Sequence, residues 1–383
     1  MRIALLTTDS REHYKDYNRP EPFFGAAPEA PLTGFKQLRD VEVHVISCLQ
    51  RQVFSPERLG PNIWYYGLHV PKSGWLRTGY QGCIRAVRRK LRSLNPDIVH
   101  GQGTERDCAV SAVFSGTPNV ITIHGNMAQL ARLSRARLGS YDWFAAHFEN
   151  FVLPRTAGVF CNSEYTENLV RPRAAQTWRV PNAIREEFFS PSISGPPSDK
   201  AILLNVGVIS PRKRQIQLLE LIRELHEQDL PVHMRFIGYA ENADPYAREF
   251  MEQVKVASSK GYASYLGLLP VPELIRCFDE AHGLVHFPFE EAFGLVIPEA
   301  LARNLRLFAS AVGGIVDIAF DVADSHLFGV DDWGGLKEGL RMWIDQGFPR
   351  PKAARDIMSS RYSPRIIAES HCRIYREVLR SLR

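Results

Sequence analysis

The chain has 383 residues, of which 45% are hydrophobic and 23% are charged. This length exceeds one ordinary domain, and the composition is that of a globular protein with two domains. The net charge of +5 allows an anionic ligand or contact with membrane headgroups, but it is too small to indicate a nucleic-acid-binding protein.

The first half alternates short apolar runs with helical patterns. The N-terminal run is too short for a signal peptide, and no apolar stretch is long enough to predict a membrane span. The predicted strands are MRIALLTT, VEVHVISC, IWYYGLHV, DIVHGQG, NVITIHG and GVFCNS. The segments CIRAVRRKLRSL and YTENLVRP are predicted helices between them. This alternation predicts a parallel sheet with helices on both faces.

The second half repeats the pattern after a segment rich in proline, serine and glycine at residues 188–200, which we interpret as a linker. Its predicted strands are AILLNVGVI, VHMRFIGYA, ASYLGLL, GLVHFPF and LRLFAS. The sequence therefore predicts an α/β protein with two Rossmann-like, doubly wound domains at 1–188 and 189–362, facing a central cleft. Residues 363–383 have the pattern of an amphipathic C-terminal helix. We expect this helix to cross back to the first domain.

The segment SPRKRQIQLLELIREL, residues 210–225, is predicted to be a helix with Ser210 as its N-cap and Pro211 at its first position. Its buried stripe consists of Leu218, Leu219, Leu221, Ile222 and Leu225. Arg212, Lys213 and Arg214 would then lie in the first turn, where each cation costs roughly 0.3–1 kcal/mol. Such a cost points either to an anionic ligand or to solvated surface cations.

The segment HFPFEEAFGLVIPEALARN, residues 286–304, places two carboxylates near the start of another helix. Pro298 is tolerated only in a first turn, so the helix begins near Gly294 or Leu295, whose amides would form an anion site. Glu291 and Glu299 stand eight positions apart and either complement the helix dipole or face one cavity.

This second segment resembles the signature of retaining glycosyltransferases of the GT-B fold, of the family-4 type (glycosyl transferases group 1). The similarity lies in the spacing and surroundings of EAFGLVIPE and in the later ASAVGGIVDI. NVGVISPRK resembles the element that grips the donor diphosphate, and VPNAIREEFFSP resembles the interdomain segment. The resemblance covers most of the chain and implies that the first domain binds the acceptor and the second binds a nucleotide sugar.

The resemblance implies roles for residues of the second domain. Lys213 is predicted to be catalytic by stabilising the charge on the departing diphosphate, and Glu291 by contacting the sugar hydroxyls. Predicted donor-binding residues are Arg214, Phe293, Gly294, Leu295, Glu299, which is expected to bind the ribose hydroxyls, and Leu268, which is expected to lie against the base. The sequence departs from the family at Val208, where the family has an arginine, and Arg214 or Arg212 is the candidate replacement.

In the first domain, the resemblance implies that His124 lies near the transferred sugar and is catalytic, and that Gly25 belongs to a loop near the phosphates. His100 is expected to be structural. Further along, Asn304 replaces a glycine of the family at a helix end, and asparagine tolerates the left-handed conformation that such an end requires.

No cofactor or metal is expected, because Asp-x-Asp and the usual His or Cys ligand spacings do not occur. The six cysteines are expected to be reduced, packed thiols of a cytoplasmic protein. Two arginine-rich stretches, at 85–92 and 132–137, are either solvated helix faces or a surface for an anionic acceptor or for peripheral association with an anionic membrane.

The predicted function is transfer of a sugar from a nucleotide-sugar donor to the hydroxyl of a carbohydrate or glycolipid acceptor, with retention, in glycan, polysaccharide or glycolipid synthesis. Two alternatives remain at this point. One is a nucleotide-sugar 2-epimerase on the same fold, and the other is a catalytically weak nucleotide-sugar-binding homologue, which the loss of the arginine at Val208 would explain. The donor base, the sugar and the acceptor do not follow from the sequence.

Overall fold

A computed structural model describes residues 1–191 and 198–382 of the chain. The chain forms two compact units, Met1–Arg185 with Tyr362–Arg383 and Glu186–Arg361, called here the N-terminal and C-terminal units. The sequence predicts a domain boundary at residue 188, and the two units of the structure divide after residue 185. Part of the predicted linker, residues 192–197, lies outside the described residues.

Each unit is built on one sheet. The strands of the N-terminal unit are β1 (Arg2–Leu6), β2 (Glu42–Leu49), β3 (Arg58–Gly60), β4 (Ile63–His69), β5 (Ile98–Gln102), β6 (Asn119–Ile123), β7 (Val159–Cys161) and β8 (Thr177–Arg179). Those of the C-terminal unit are β9 (Ala201–Val206), β10 (Val232–Ile237), β11 (Ala263–Tyr265), β12 (Gly283–His286), β13 (Arg306–Ser310) and β14 (Ser325–Phe328).

The described helices connect these strands. They are α1 (Ser10–Tyr14), α2 (Ala26–Lys36), α3 (Gln81–Leu94), α4 (Asp107–Val113), α5 (Met127–Leu133), α6 (Tyr141–Val152), α7 (Glu164–Val170), α8 (Gln215–His226), α9 (Pro245–Ser259), α10 (Val271–Glu280), α11 (Val296–Ala302), α12 (Gly314–Ala319), α13 (Trp333–Asp345), α14 (Ala354–Tyr362) and α15 (Pro364–Ser381). Across the described residues, none of them combines the length and apolar character needed to cross a bilayer.

The N-terminal sheet has the strand order β3-β4-β2-β1-β5-β6-β7-β8, and its described strand pairs are parallel except for β3 with β4. The two central strands are buried because the connecting helices cover both faces of the sheet. The order reverses between β1 and β5, so that the carboxyl ends of these strands form a switch point, where open α/β sheets bind ligands.

Helix α15 belongs to the N-terminal unit, where it packs on α2. The two helices approach so closely at Gly34 that a Cβ atom there would lie 1.9 Å from the carbonyl oxygen of Pro364. The buried side of α15 also completes a polar cluster within the core, because Tyr375 hydrogen bonds to Nδ1 of His100. His100 contacts Thr122 through Nε2 at 2.7 Å, which confirms the structural role expected for this histidine.

The buried histidine of α15 predicts a pH dependence of stability. Burial lowers the pKa of His371 to about 4, although its Nδ1–H donates a hydrogen bond to the Ile367 carbonyl oxygen at 2.8 Å. Because the unfolded chain takes up a proton near pH 6.5 and the folded chain does not, this site destabilises the fold as the pH falls from about 6.5 towards 4. The ring stacks on Phe160 with a centroid distance of 4.9 Å, so phenylalanine can replace it.

The His371→Phe variant should therefore lose less stability than the wild type between about pH 7 and pH 5. We expect the difference to be about 2 kcal/mol, since each pKa unit corresponds to roughly 1.4 kcal/mol. The free energy of unfolding at each pH is measured by hydrogen exchange of the amides in the N-terminal sheet in the presence of urea. The control is His69→Gln, which replaces an exposed histidine of the same unit. Equal pH dependence in wild type and His371→Phe would contradict the prediction.

The C-terminal sheet has the order β11-β10-β9-β12-β13-β14, and all its described pairs are parallel. Its core includes the predicted stripe of α8, which is confirmed as buried along its whole length. Asn304 has a φ of +55°, which confirms that it adopts the left-handed conformation after α11. The strand order reverses between β9 and β12, and the loops after these two strands lie at the carboxyl edge of the sheet.

Candidate active site

In the loop after β9, Lys213 packs against Gly207, and Gly207 packs against Gly238. Gly238 has a φ of +145°, and a Cβ atom there would lie 2.0 Å from the Gly207 carbonyl oxygen. Gly207 in turn lies beside the methylene groups of Lys213. A Cβ atom at Gly207 would lie 3.7 Å from Cε of Lys213. The absence of side chains at both glycines therefore lets the backbone and the lysine stem pack closely at the strand reversal.

The start of α8 differs from the prediction. Pro211–Lys213 form a 3₁₀ turn, Arg214 has a φ of +58°, and α8 begins only at Gln215. Ser210 and Pro211 thus begin the short turn and not the α-helix, and the three cations precede the helix instead of lying in its first turn. The side chain of Gln215 folds back to accept a hydrogen bond from the Ser210 amide at 3.2 Å and to donate one to the Val208 carbonyl at 3.0 Å, which stabilises the loop.

Lys213 and Glu291 form a buried ion pair between the loops that follow β9 and β12. The last residue of β12, His286, completes the group: its Nε2 lies 3.2 Å from Oε2 of Glu291 and 3.4 Å from Nζ of Lys213. We call these three residues the Lys213 cluster. It brings two of the residues with predicted catalytic roles into direct contact.

The electrostatics of the Lys213 cluster fix its protonation state. Burial alone would raise the pKa of Glu291, but the charge of Lys213 and the hydrogen bond from His286 outweigh it and hold the pKa well below its ordinary value. Burial and the charge of Lys213 lower the pKa of His286 to about 4. At neutral pH Glu291 is therefore a carboxylate and His286 a neutral imidazole. The Lys213 side chain offers up to three N–H donors, more than the one carboxylate oxygen that it contacts.

A second pair fastens the same two loops. Arg212 donates to Oε2 of Glu290 at 3.1 Å and to its carbonyl oxygen at 3.2 Å, and the Phe289 amide donates to the Arg212 carbonyl at 3.2 Å. This pairing joins the two loops beside the Lys213 cluster. The guanidinium of Arg212 is therefore engaged next to the cluster.

Arg214, predicted to bind the donor, contacts the loop after β14 and also Phe289 in the loop after β12. Its guanidinium donates to the Val330 carbonyl at 2.6 Å and to Asp331 at 2.9 Å, and it lies over the rings of Phe289 and Trp333. The structure thus engages Arg214 with the loop after β14. Val208, which replaces the arginine of the family, is 54% exposed. A donor-binding role of Arg214 stays a prediction.

The other predicted donor-binding residues of the C-terminal unit lie around the loop after β12. Phe293 is buried, and Gly294 has a φ of +83° and packs against Glu291. Leu295 is the N-cap of α11, which begins at Val296, and Glu299 lies buried in its first turn. Leu268 is 65% exposed and follows Gly267, whose carbonyl accepts a hydrogen bond from the Gly238 amide at 2.8 Å.

In the N-terminal unit, His124 follows β6 at the carboxyl edge of the sheet. Its Nε2 contacts Oε1 of Gln102 at 2.9 Å, and burial lowers its pKa to about 4. Its carbonyl oxygen accepts a hydrogen bond from Asn162 at 3.3 Å. Among the described residues, Nδ1 of His124 is buried without a hydrogen-bond partner. Gly25 is exposed and is the N-cap of α2. Its role near the phosphates stays a prediction.

Two titratable residues at these edges were not predicted from the sequence. One is His286, whose only signal was its position at the end of a predicted buried strand. The other is Glu105, whose carboxylate lies beside Gly103 and Gly125 and whose pKa is raised to about 7 by burial. Gly103 has a φ of +85°, and a Cβ atom there would lie 2.1 Å from the Glu105 carboxylate. Glu105 thus adds an acid–base group next to His124.

One group of potential metal ligands exists among the described residues. Cys48, Cys83 and Asp107 are buried in the N-terminal unit with ligand atoms within 4.8 Å of one another. The side chains belong to β2, α3 and α4, whereas the Lys213 cluster lies in the C-terminal unit. All six cysteines lie in the described part of the chain, and each is buried with a free thiol, as predicted.

The geometry of the C-terminal unit favours binding of an anion followed by charge stabilisation. The Lys213 side chain lies at the strand reversal and is 12% exposed, so solvent screens its charge less than that of a surface lysine. Glu291 and Glu299 supply carboxylates in the same loop–helix segment, which suit the hydroxyl groups of a sugar or ribose.

Comparisons with known proteins identify the family and the fold of the chain. Residues 34–188 match the model of Glycosyltransferase Family 4, and residues 186–359 match Glycosyl transferases group 1. Sucrose-phosphate synthase from Thermosynechococcus elongatus has a TM-score of 0.76 at 17% identity, with all of both chains covered. HepE of Anabaena, solved with UDP-glucose, has a TM-score of 0.72 at 16% identity over all of both chains.

A glycosyltransferase from Rickettsia africae is also similar, with a TM-score of 0.72 at 15% identity over 99% of this chain and 98% of that one. These neighbours show that the two parallel-sheet units form the GT-B fold. No curated protein matches the sequence.

Proposed function

The chain belongs to the family-4, group 1 type of GT-B glycosyltransferases, and from this premise we propose that it moves a sugar from a nucleotide-sugar donor to an acceptor hydroxyl with retention of configuration. The proposal includes a metal-independent reaction in glycan, polysaccharide or glycolipid synthesis. The Lys213 cluster is the observation that carries it, because a buried cation at a strand reversal suits a departing diphosphate.

In this mechanism the Lys213 ammonium donates to the diphosphate and stabilises the negative charge that grows as the bond from the phosphate oxygen to the anomeric carbon breaks. Glu291 orients the ammonium and accepts hydrogen bonds from sugar hydroxyls, while Glu299 accepts from the ribose. The neutral His286 contributes a hydrogen bond without adding charge. Since no protein nucleophile is assigned, the acceptor hydroxyl attacks on the face from which the diphosphate leaves.

The test begins with thermal-shift screening against UDP, GDP and ADP sugars. UDP-glucose comes first because HepE was solved with it. The selected donor is then incubated with a panel of sugar and glycolipid acceptors, with and without EDTA, and the product anomer is assigned by NMR. We expect acceptor-dependent release of the nucleoside diphosphate, unaffected by EDTA, with a retained anomer. An altered donor sugar formed without acceptor would favour the epimerase, and binding without turnover would favour the weak homologue.

We further propose a cytoplasmic location with peripheral association at an anionic membrane surface. Six free, buried thiols fit a reducing compartment. Four arginines on the outer face of α3 are exposed and form no ion pair within the described residues: Arg85, Arg88, Arg89 and Arg92. Each basic residue near an anionic bilayer contributes about 1 kcal/mol of attraction.

Liposome flotation tests the membrane proposal. The chain should float with anionic vesicles and not with zwitterionic ones. The Arg88→Gln/Arg92→Gln variant should bind anionic vesicles about tenfold or more weakly, because two such attractions are removed. The control variant, Lys255→Gln/Lys260→Gln, removes two exposed cations from the C-terminal unit and should bind like the wild type. Equal flotation with both vesicle types would refute the proposal.

A further inference from the structure

The N-terminal unit contains a cavity of about 610 Å³ with a strongly basic lining. Four cationic side chains line it, namely Lys15, Lys72, Arg77 and Arg106, and none of the described lining residues is acidic. We call it the basic pocket. It is large enough for a group the size of a phosphorylated sugar ring.

The basic pocket lies where an α/β sheet binds ligands. Lys15 follows β1 and its helix α1, and Arg106 follows β5, so these two cations come from the strands between which the sheet order reverses. The two loops are in contact, because the Arg106 guanidinium donates to Nδ1 of His13 at 3.1 Å. Lys72 and Arg77 come from two 3₁₀ turns after β4, at the same edge of the parallel strands.

Most cations of the basic pocket form no ion pair within the described residues. Lys15 pairs with the buried Glu12, but Lys72, Arg77 and Arg106 form no ion pair within the described residues. The proximity of Arg106 and Lys15 also contributes to a lowered pKa of His13, after the larger effect of burial. Three cations without an ion pair exceed the single charge of a carboxylate, whereas a phosphate monoester carries nearly two charges and three acceptor oxygens.

The basic pocket also has an aromatic wall, whose side chains are fixed in place. The indole N–H of Trp75 donates to the Val70 carbonyl at 2.9 Å, and its ring packs edge-on to Tyr80. The hydroxyl of Tyr141 donates to the Glu105 carbonyl at 2.6 Å. Aromatic faces of this kind contact a sugar ring or a prenyl chain, so the pocket combines an anion-binding side with an apolar side.

We propose that the basic pocket binds the phosphate group of a phosphorylated acceptor, with Lys72, Arg77 and Arg106 on the phosphate oxygens and the aromatic wall against the remainder of the molecule. The description of this ligand as an acceptor rests on the proposed glycosyltransferase function. The phosphate belongs either to a soluble sugar phosphate or to a lipid phosphate, and the experiment distinguishes these two sources.

The test measures binding to the full chain by titration calorimetry. The probes are glucose 6-phosphate and farnesyl phosphate, each compared with its unphosphorylated counterpart, glucose and farnesol. At least one of the two phosphorylated probes should bind about tenfold or more tightly than its unphosphorylated counterpart. The probe that binds more tightly shows whether the ligand is a sugar phosphate or a lipid phosphate. If neither phosphate binds more tightly than its counterpart, the proposal is wrong.

The test variant is Lys72→Gln/Arg77→Gln, which changes two exposed side chains on short turns and should fold normally. It should weaken binding of the phosphate about tenfold or more while leaving UDP binding unchanged. The matched control is Lys36→Gln/Arg39→Gln, which removes the same charge from exposed positions of the same unit outside the pocket and should bind the phosphate like the wild type. Equal weakening by the two variants would show a nonspecific charge effect and overturn the proposal.

A failure of this proposal can be separated from a failure of the proposed function. Transfer from a nucleotide sugar to an unphosphorylated acceptor, with full activity in Lys72→Gln/Arg77→Gln, would overturn the phosphate site and leave the glycosyltransferase function intact. Phosphate binding that requires the pocket cations, without transfer to any acceptor, would support the site and contradict the proposed function.

Discussion

Replacement of Lys213 with alanine should lower kcat for sugar transfer about 100- to 1,000-fold, while the Kd of the nucleotide-sugar donor changes less than about tenfold. The reason is that the diphosphate gains negative charge as it departs, so the buried ammonium interacts more strongly with the transition state than with the bound donor. Single-turnover kinetics measure the transfer step, and titration calorimetry measures donor binding separately.

The structural consequences of this substitution require a control, because Lys213→Ala leaves the Glu291 carboxylate buried without its partner. Loss of one member of a buried pair costs about 3–5 kcal/mol, so the melting temperature of the variant should fall. Arg212→Met is the matched control, since Arg212 comes from the same 3₁₀ turn and pairs with the adjacent Glu290.

Arg212→Met should lower stability and keep kcat within about fivefold of the wild type. The reason is that the Arg212 guanidinium already binds the carboxylate and the backbone carbonyl of Glu290. Equal kcat values in Lys213→Ala and the wild type would remove the electrostatic role assigned to the lysine. A comparable loss of kcat in both variants would show that the loop geometry matters, and not the charge of Lys213.

Much of the fold was predictable because its central strands are continuous apolar runs. The alternation of such runs with helical patterns predicted two parallel sheets, and the GT-B fold is confirmed. The edge strands β3, β8 and β14 were missed. They contain three or four residues and have few buried side chains, so they lack a run of apolar residues long enough to recognise.

The start of α8 shows why local signals mislead. Ser210 and Pro211 satisfy the sequence preferences of a helix N-terminus, but they introduce a 3₁₀ turn. The positive φ of Arg214 ends that turn, and its conformation is stabilised by contacts with Val330 and Asp331, more than one hundred residues away in the chain. Such contacts arise only in the folded unit, so a window of neighbouring residues cannot predict them.

The candidate site was predictable to the extent that a motif marked it. Lys213 and Glu291 follow from the resemblance to the family, but their pairing and the participation of His286 depend on the juxtaposition of two strands that are distant in sequence. Glu105 carried no motif, and its raised pKa arises from burial beside Gly103 and Gly125.

Replacement of Glu299 with alanine should raise the Kd of UDP about 10- to 100-fold, the change expected when hydrogen bonds between a carboxylate and the ribose hydroxyls are lost. The alternative is that Glu299 only complements the dipole of α11, since it lies in the first turn of that helix. That role contributes roughly 0.3–1 kcal/mol to stability and predicts a lower melting temperature with an unchanged Kd. Glu290→Gln, in the preceding loop, is the control for a lost carboxylate and should bind UDP like the wild type.

The ribose assignment is tested most directly with 2′,3′-dideoxy-UDP, which lacks the two hydroxyls that Glu299 is proposed to bind. The wild type should bind this analogue about 10- to 100-fold more weakly than UDP, whereas Glu299→Ala should bind both nucleotides with nearly equal affinity. This pattern arises because removal of the carboxylate and removal of the hydroxyls abolish the same hydrogen bonds, so the two losses do not add. If the affinities for the dideoxy analogue and for UDP differ as much in the variant as in the wild type, another group binds the ribose and Glu299 serves the helix alone.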